Sequence, residues 1–312
     1  MISYETKQNL CYVLKHPVES AWRFVRSLNR DDLLESYRLL HNLALCLPDR
    51  MTSSYREELD YLEAHPFAGV DMFPYPEVAA MPDVESGWDS KARLPYVVHA
   101  GRPFYGMRRS TVDQVVKTYL YFVATEGILG TGIRSKSPHS YVDADFKVES
   151  GDALVDIGCS DGLFAFANAD QASHVYLFET DKLWMAPLRR SFQPYEGKVS
   201  IVNKFVSGVT CGNQIRMVDA LGDNGDDRPY FVKMDIEGGE RDVISASADF
   251  FKSHRIKLSC CVYHRQDDAT VIKKMLEDIG FHTRFSEGYM LPVVNGIECP
   301  YFRRGVVYAQ NY

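Results

Sequence analysis

Apolar positions change their spacing along this chain, and the change divides it into three zones. From the start to about residue 65 the spacing is helical. In the stretch 31–43 the apolar positions Leu33, Leu34, Tyr37, Leu40 and Leu43 share one face at a 3.6-residue period, and two acidic residues stand at the helix start. Pro48 ends that helix, and a second is predicted from Ser53 or Ser54 toward Ala64, stopping before Pro66. Residues 66–110 keep no period and hold six of the fourteen prolines. Within them, Tyr96-Val97-Val98-His99 and Phe104-Tyr105-Gly106-Met107 flank Ala100-Gly101-Arg102-Pro103, the pattern of a small hairpin. A helix follows from Thr111, a suitable N-cap, with Val112, Val115, Val116, Tyr119, Leu120 and Val123 along one face. The glycines from Gly127 to Gly132 close it.

From about residue 142 short β-rich runs alternate with helical stretches. Strands are predicted at 153–157, 174–178, 199–202, 231–234, 256–262, 281–285 and 305–309. Strands separated by helices imply βαβ units and a mostly parallel sheet covered on both faces. The predicted fold is therefore α/β. A Rossmann-like, seven-stranded, mostly parallel sheet occupies 142–312, a linking helix and loop 111–141, and a helical N-terminal extension with an irregular connector 1–110.

Composition narrows the class. The chain has 312 residues, 46% of them apolar, enough for a sizeable core and too many for a disordered protein. No uncharged run approaches the roughly 20 residues of a spanning helix. The first residues lack the basic region and apolar stretch of a secretory signal. A net charge of −7 argues against a partner bound by phosphate neutralisation, so no nucleic acid is expected. The seven cysteines include no Cys-x-x-Cys pair and read as small buried hydrophobes in a reducing compartment. A cytoplasmic location follows as an expectation.

The most informative run is Val155-Asp156-Ile157-Gly158-Cys159-Ser160-Asp161-Gly162. An apolar strand ends in Asp156, turns through two glycines, and enters a helix near Leu163. Ligands of open α/β sheets bind at the carboxyl ends of the strands, where this turn lies. The next strand ends in Glu179, whose carboxylate can accept both hydroxyl protons of an adenosine ribose. A nicotinamide dinucleotide would favour Gly-x-Gly-x-x-Gly, but position 160 is Ser. The Asp-x-Gly-x-x-x-Gly form resembles the first motif of S-adenosylmethionine-dependent methyltransferases, in which the acidic residue helps hold the methionine part of the cofactor.

A second run, Lys233-Met234-Asp235-Ile236-Glu237-Gly238-Gly239-Glu240, is similar to the Lys-x-Asp-x-Glu-Gly-x-Glu hallmark of the FkbM-type methyltransferases. The Val-Tyr-x-Phe-Glu strand end at 175–179 and Val262-Tyr263-His264 resemble that family too. Where relatives often place a proline after the ribose-binding Glu, this chain has Thr180-Asp181. The resemblance, over about 142–312, implies S-adenosylmethionine as cofactor. The candidates to bind it are Asp156, Gly158, Cys159, Ser160, Asp161, Gly162, Glu179, Thr180, Phe205 and Asp235. It further implies O-methylation, commonly of a saccharide or natural-product hydroxyl. N-methylation of an amine and a catalytically silent scaffold are the alternatives.

Candidate catalytic residues are Asp235, Glu237 and His264. An alcohol needs a base to take its proton as the new bond forms, and a histidine of near-neutral pKa suits that task. Lys233 and Asp235 alternate onto one face of their strand and are expected to pair. Asp235, Glu237, His264 and the Asp267-Asp268 pair could ligate a divalent metal, but no tight ligand spacing supports one and none is expected. Residues 100–137 carry six basic side chains (Arg102, Arg108, Arg109, Lys117, Arg134, Lys136) against Asp113 and Glu126. Folded over the cleft together with Ser137-Pro138-His139, they would favour an anionic acceptor; otherwise they are a solvated face. Tyr96, Phe104, Tyr105 and Tyr141 could stack on a sugar or belong to the core.

Overall fold

Seven strands form the central sheet: β4 (Ala153–Ile157), β5 (His174–Phe178), β6 (Val199–Val202), β9 (Tyr230–Met234), β10 (Ile256–Cys261), β11 (His282–Phe285) and β12 (Val306–Gln310). Their spatial order is β11-β12-β10-β9-β4-β5-β6, and β12 alone runs antiparallel to its two neighbours. The computed structural model describes residues 41–47, 49–64, 83–128, 137–222, 227–292 and 298–312. The helix expected over 31–43 falls almost wholly outside these, as do Pro48, four of the connector prolines, and Arg134 and Lys136.

The predicted strands are all present, with boundaries within a residue of expectation. Burial explains why they were legible. The central strands β4, β9 and β10 are buried at every position and are mostly apolar, broken by Asp156, Lys233, Lys257 and Ser259, whereas edge strand β11 alternates exposed with half-buried residues. A two-stranded ladder of β7 (Phe205–Val206) and β8 (Gln214–Ile215) lies between β6 and β9 in the chain.

Helices cover both faces. Leu154 and Phe231 face a core shared with α2 (Val112–Thr125), α3 (Leu163–Asn168) and α4 (Met185–Ser191). Val155 and Val232 face the other core, filled from α5 (Met217–Leu221), α6 (Glu240–Ala246), α7 (Ala248–Ser253) and α8 (Asp268–Asp278). Helix α1 (Arg56–Ala64) contributes Leu59 and Leu62 to a separate small cluster with Leu291 and Phe302.

The expected hairpin forms as β2 (Leu94–His99) and β3 (Arg102–Tyr105), and β1 (Ser86–Asp89), unforeseen, adds a third antiparallel strand. Its Val97 and Phe104 share a core with Leu154 and Phe166, so the packing runs across the expected boundaries at 111 and 142. No helix among the described residues is long and apolar enough to cross a membrane.

Thr111 caps α2 as its position predicts. Its hydroxyl accepts from Gln114 N–H at 3.2 Å, and the Gln114 side chain accepts from Thr111 N–H at 2.8 Å. Thr111→Ala, which loses the first of these bonds, should lower unfolding free energy by about 1 kcal/mol in chemical denaturation.

Candidate active site

The chain reverses direction across the sheet at β4, with β5 and β6 on one side and β9 on the other. Such a switch point opens a crevice at the carboxyl ends of the strands. Here the ends of β4 and β9 are pressed together. The Asp235 N–H donates to Ile157 O at 3.0 Å, and a Cβ on Gly158 would lie 1.9 Å from the Asp235 carbonyl oxygen. Gly158 (φ +76°) is thus required by space as well as by conformation. On the other side, Gly158 and Cys159 N–H both donate to Phe178 O at 3.0 Å, which ties the turn to β5.

Glu179 continues that tie. Its carboxylate accepts from Ser160 N–H at 2.9 Å and from Asp181 N–H at 2.6 Å, while Asn203 holds the Glu179 carbonyl at 2.7 Å. The carboxylate is half-buried, burial pushes its pKa up, and each oxygen retains a lone pair for a further donor. Asp161, buried beside Gly162, caps α3 by accepting from Leu163 N–H at 2.9 Å. Burial, reinforced by Asp156, pushes its carboxyl up to about 7. Thr180 is exposed at the end of β5, the Cys159 thiol is buried, and Phe205 is half-buried in β7, past the end of β6.

One sequence expectation is corrected. Lys233 pairs with Asp156, at 3.1 Å, and not with Asp235. The register of β4 on β9 sets Asp156 directly opposite Lys233, closer than a residue two positions along the same strand. The Lys233 ammonium also donates to Gly158 O at 2.6 Å and lies 4.9 Å from the centre of the Tyr141 ring. Asp156 is only 1% exposed, so its charge is spent inside the protein, on the lysine that braces the turn.

His264 stands in surroundings that the residue order does not show. Its ring is enclosed by carboxylates, with Nδ1 3.1 Å from Glu240 Oε1 and Nε2 3.3 Å from Asp235 Oδ1 and 3.6 Å from Glu237 Oε2. Burial alone would lower its pKa, but the charge of Glu240, with Asp235 and Glu237, raises it well above the usual value. That direction favours the protonated ring, which is less suited to the near-neutral base expected from the sequence. The same histidine helps keep Asp235 ionised: burial pushes that carboxyl up, but His139 and His264 bring it well below the ordinary range.

Asp235 is the most heavily supported group in the cleft. Tyr141 donates to Oδ2 at 2.9 Å and Tyr263 to Oδ1 at 3.4 Å, with His139 Nε2 3.4 Å from Oδ2. Glu237 differs. Its backbone is left-handed (φ +57°), its side chain is 36% exposed, and burial of the rest raises its pKa. Arg303 pins the following strand's loop by donating to Tyr263 O at 2.6 Å and His264 O at 3.0 Å.

Sequence reasoning gave Tyr141 and His139 only general roles and missed Tyr263 as a site residue. They meet Asp235 because the segment 137–141 is fastened over the sheet: Ser137 donates to Thr125 O at 2.6 Å, Ser286 to Pro138 O at 2.6 Å and Tyr308 to Ser140 O at 2.7 Å. Glu240, read as a helix-start charge, turns inward, accepts from Ile236 N–H at 3.0 Å and faces His264. Glu126 had been counted as surface charge; burial, with Asp161 beside it, raises its pKa well above the ordinary value. The motif spacing could have pointed to Glu240, but no local signal marks the others.

Arg134 and Lys136 lie outside the described residues, and the other basic residues of 100–137 are engaged elsewhere or exposed. Arg102 pairs with Asp170 at 2.5 Å, and the neighbouring Gln171 bonds to Gly151, ahead of β4, so that pair lies at the opposite end of the sheet. Lys117 pairs with Asp113 at 2.8 Å, and Arg108 and Arg109 are exposed. Asp267 and Asp268 are engaged by Arg241, both at 2.6 Å, and are not available to the cleft.

Residues 206–283 match the family model of the methyltransferase FkbM domain, a span that includes Asp235, Glu237, Glu240 and His264. That match covers 78 of the 312 residues. No curated protein matches the chain. Among solved structures, an FkbM methyltransferase from Methylobacillus flagellatus is similar at 17% identity and TM-score 0.43, over 63% of this chain and 54% of that one. The aligned part is thus about half the length of that relative. A precorrin-6y C5,15-methyltransferase from Geobacter metallireducens is similar at 15% identity and TM-score 0.36, over 54% of this chain and 85% of its own. A magnesium protoporphyrin IX methyltransferase from Synechocystis, solved with bound SAM, is similar at 15% and 0.32, over 52% and 71%. None of these likenesses bears on the acceptor of the FkbM-type domain.

Two predictions follow from the charges of this cleft. Lys233→Met should destabilise the protein by about 3–5 kcal/mol in urea titration, because it strands the buried Asp156 charge; adding Asp156→Asn should recover much of that loss. Asp161 binds its proton more tightly folded than unfolded, so its ionisation costs stability as pH rises from the ordinary carboxylate range to about 7. Asp161→Asn retains the cap acceptor and removes that ionisation. At pH 8 it should be more stable than the parent by on the order of 1 kcal/mol, with the difference shrinking toward pH 5.

Proposed function

We propose that the protein transfers a methyl group from S-adenosylmethionine to a hydroxyl of a saccharide or similar natural-product acceptor. One observation carries the reading: the Gly158–Gly162 turn, the Glu179 carboxylate and the half-buried carboxylate of Glu237 converge on the same end of the sheet, with Asp235 held rigid among them. The donor set suits the cofactor. Glu179 can take the ribose hydroxyls, and the turn offers backbone to its methionine part. Asp156 contributes indirectly, by fixing Lys233 and through it Gly158 O.

When bound, the cofactor supplies a methyl carbon activated on a sulfonium. The chain must align the acceptor oxygen in line with that carbon and remove its proton. Glu237 is the group for the proton, because its carboxylate reaches the open side of the cleft and is not tied to any backbone donor. Asp235, fixed by Tyr141 and Tyr263, is positioned to hold an acceptor hydroxyl in one orientation. The two tyrosine rings and the fastened segment 137–141 keep water from that side. Among the described residues Arg102 and Lys117 are paired with Asp170 and Asp113, and the acidic rim favours a neutral acceptor over an anionic one.

Incubation with labelled S-adenosylmethionine and a panel of glycans, read by mass spectrometry, should show label gained on oxygen. Glu237→Gln should lower kcat by about 100-fold or more while leaving cofactor affinity within a few fold by calorimetry. Near-normal turnover in that variant would remove Glu237 from the role, and a parent protein giving no heat with the cofactor would end the reading.

A further inference from the structure

We propose that Asp235, Glu237 and His264 form a binding site for one divalent cation of the Mg²⁺ or Mn²⁺ class. Nothing in their linear spacing predicts it; the tertiary structure creates it. One oxygen of each carboxylate and one ring nitrogen lie within 4.8 Å of one another. His264 Nε2 is 3.3 Å from Asp235 Oδ1 and 3.6 Å from Glu237 Oε2. An octahedral ion with ligands at about 2.1 Å sets adjacent ligands about 3.0 Å apart, close to the separation of the imidazole nitrogen from each carboxylate here.

The buried histidine is the independent sign. The His264 side chain is 4% exposed, yet neither ring nitrogen makes a well-directed hydrogen bond among the described residues, although carboxylates surround it. A ring held this way has one nitrogen aimed between Asp235 and Glu237. Glu240 stands behind the other at 3.1 Å, itself anchored by Ile236 N–H at 3.0 Å. Carboxylate behind imidazole is the arrangement that orients a metal-ligating histidine and selects the nitrogen that faces the ion. Asp235 is oriented in the same manner through its other oxygen, by Tyr141 at 2.9 Å.

Charge points the same way. Asp235, Glu237 and Glu240 crowd one partly desolvated pocket, and an ion of charge +2 seated among them offsets their mutual repulsion. Imidazole with carboxylates suits Mn²⁺ or Mg²⁺, and the 36% exposed side chain of Glu237 leaves the cleft side open for an acceptor oxygen or water. The neighbouring group of His139, Asp235 and Cys261 is a poorer site, because burial keeps the Cys261 thiol protonated. The cation site stands without the methyl-transfer reading; only its part in binding the acceptor hydroxyl rests on that reading.

The test is Mn²⁺ binding to the full chain after chelator treatment, followed by the loss of the free-ion paramagnetic resonance signal, with no cofactor or acceptor present. One ion per chain is expected. Glu237→Gln, a change at a half-buried side chain that should leave the fold intact by circular dichroism, should weaken binding about tenfold or more. Asp267→Asn, at the Arg241-paired carboxylate, should not alter it. The proposal is overturned if the parent protein takes up no Mn²⁺ at millimolar concentration, or if Glu237→Gln binds as the parent does. Calorimetry with S-adenosylmethionine on the same preparation separates the two readings. Heat with the cofactor but no Mn²⁺ uptake overturns the cation site alone, whereas Mn²⁺ uptake without cofactor heat supports the site and removes methyl transfer.

Discussion

At the carboxyl ends of β4 and β9 an ammonium group is buried against a carboxylate, and the backbones of the two strand ends touch. Lys233 and Asp156 face each other because the two strands pair in parallel, in register, on the face that packs against α2 and α3. Burying either charge alone would cost several kcal/mol, so each requires the other. The same ammonium bonds to Gly158 O, and the absence of a Cβ at that glycine lets the Asp235 carbonyl approach. One interaction therefore sets the turn that faces Glu179 and the strand end that presents Asp235 and Glu237.

From that brace outward, the cleft separates into two chemically different halves. Toward β5 it is a turn of backbone groups closed by Glu179, with capping carboxylates whose pKa values are raised by burial. Toward β10 it is a set of carboxylates around His264, with Asp235 held ionised and Glu237 on the open side. The FkbM-type domain match spans the second half and stops short of the first. Segment 137–141 completes the second half from outside that match, because the bonds of Ser137, Pro138 and Ser140 leave it no other course.

Much of this was legible from residue order. The central strands are buried on both faces and so announce themselves as mostly apolar runs, and Thr111 announces its helix by its cap. The glycine turn and the Lys-x-Asp-x-Glu-Gly-x-Glu run mark the strand ends that carry the chemistry. What escaped was every contact between segments distant in the chain. Lys233 was matched to the wrong aspartate because alternation along one strand is visible in a sequence and the register of its neighbour is not. The basic run at 100–137 looked like a unit, but Arg102 is carried to the far end of the sheet by the hairpin.

His264 shows the division most clearly. Its position after the fifth strand of the parallel set places it at the catalytic end, and that much the residue order determined. Its surroundings were decided by three carboxylates brought around it from the end of β9 and the first turn of α6. A side chain's location along an element follows from local periodicity, which short-range propensity and burial encode. Its protonation and its partners follow from electrostatics over 3–4 Å between chain segments, and only the packed tertiary structure sets those distances.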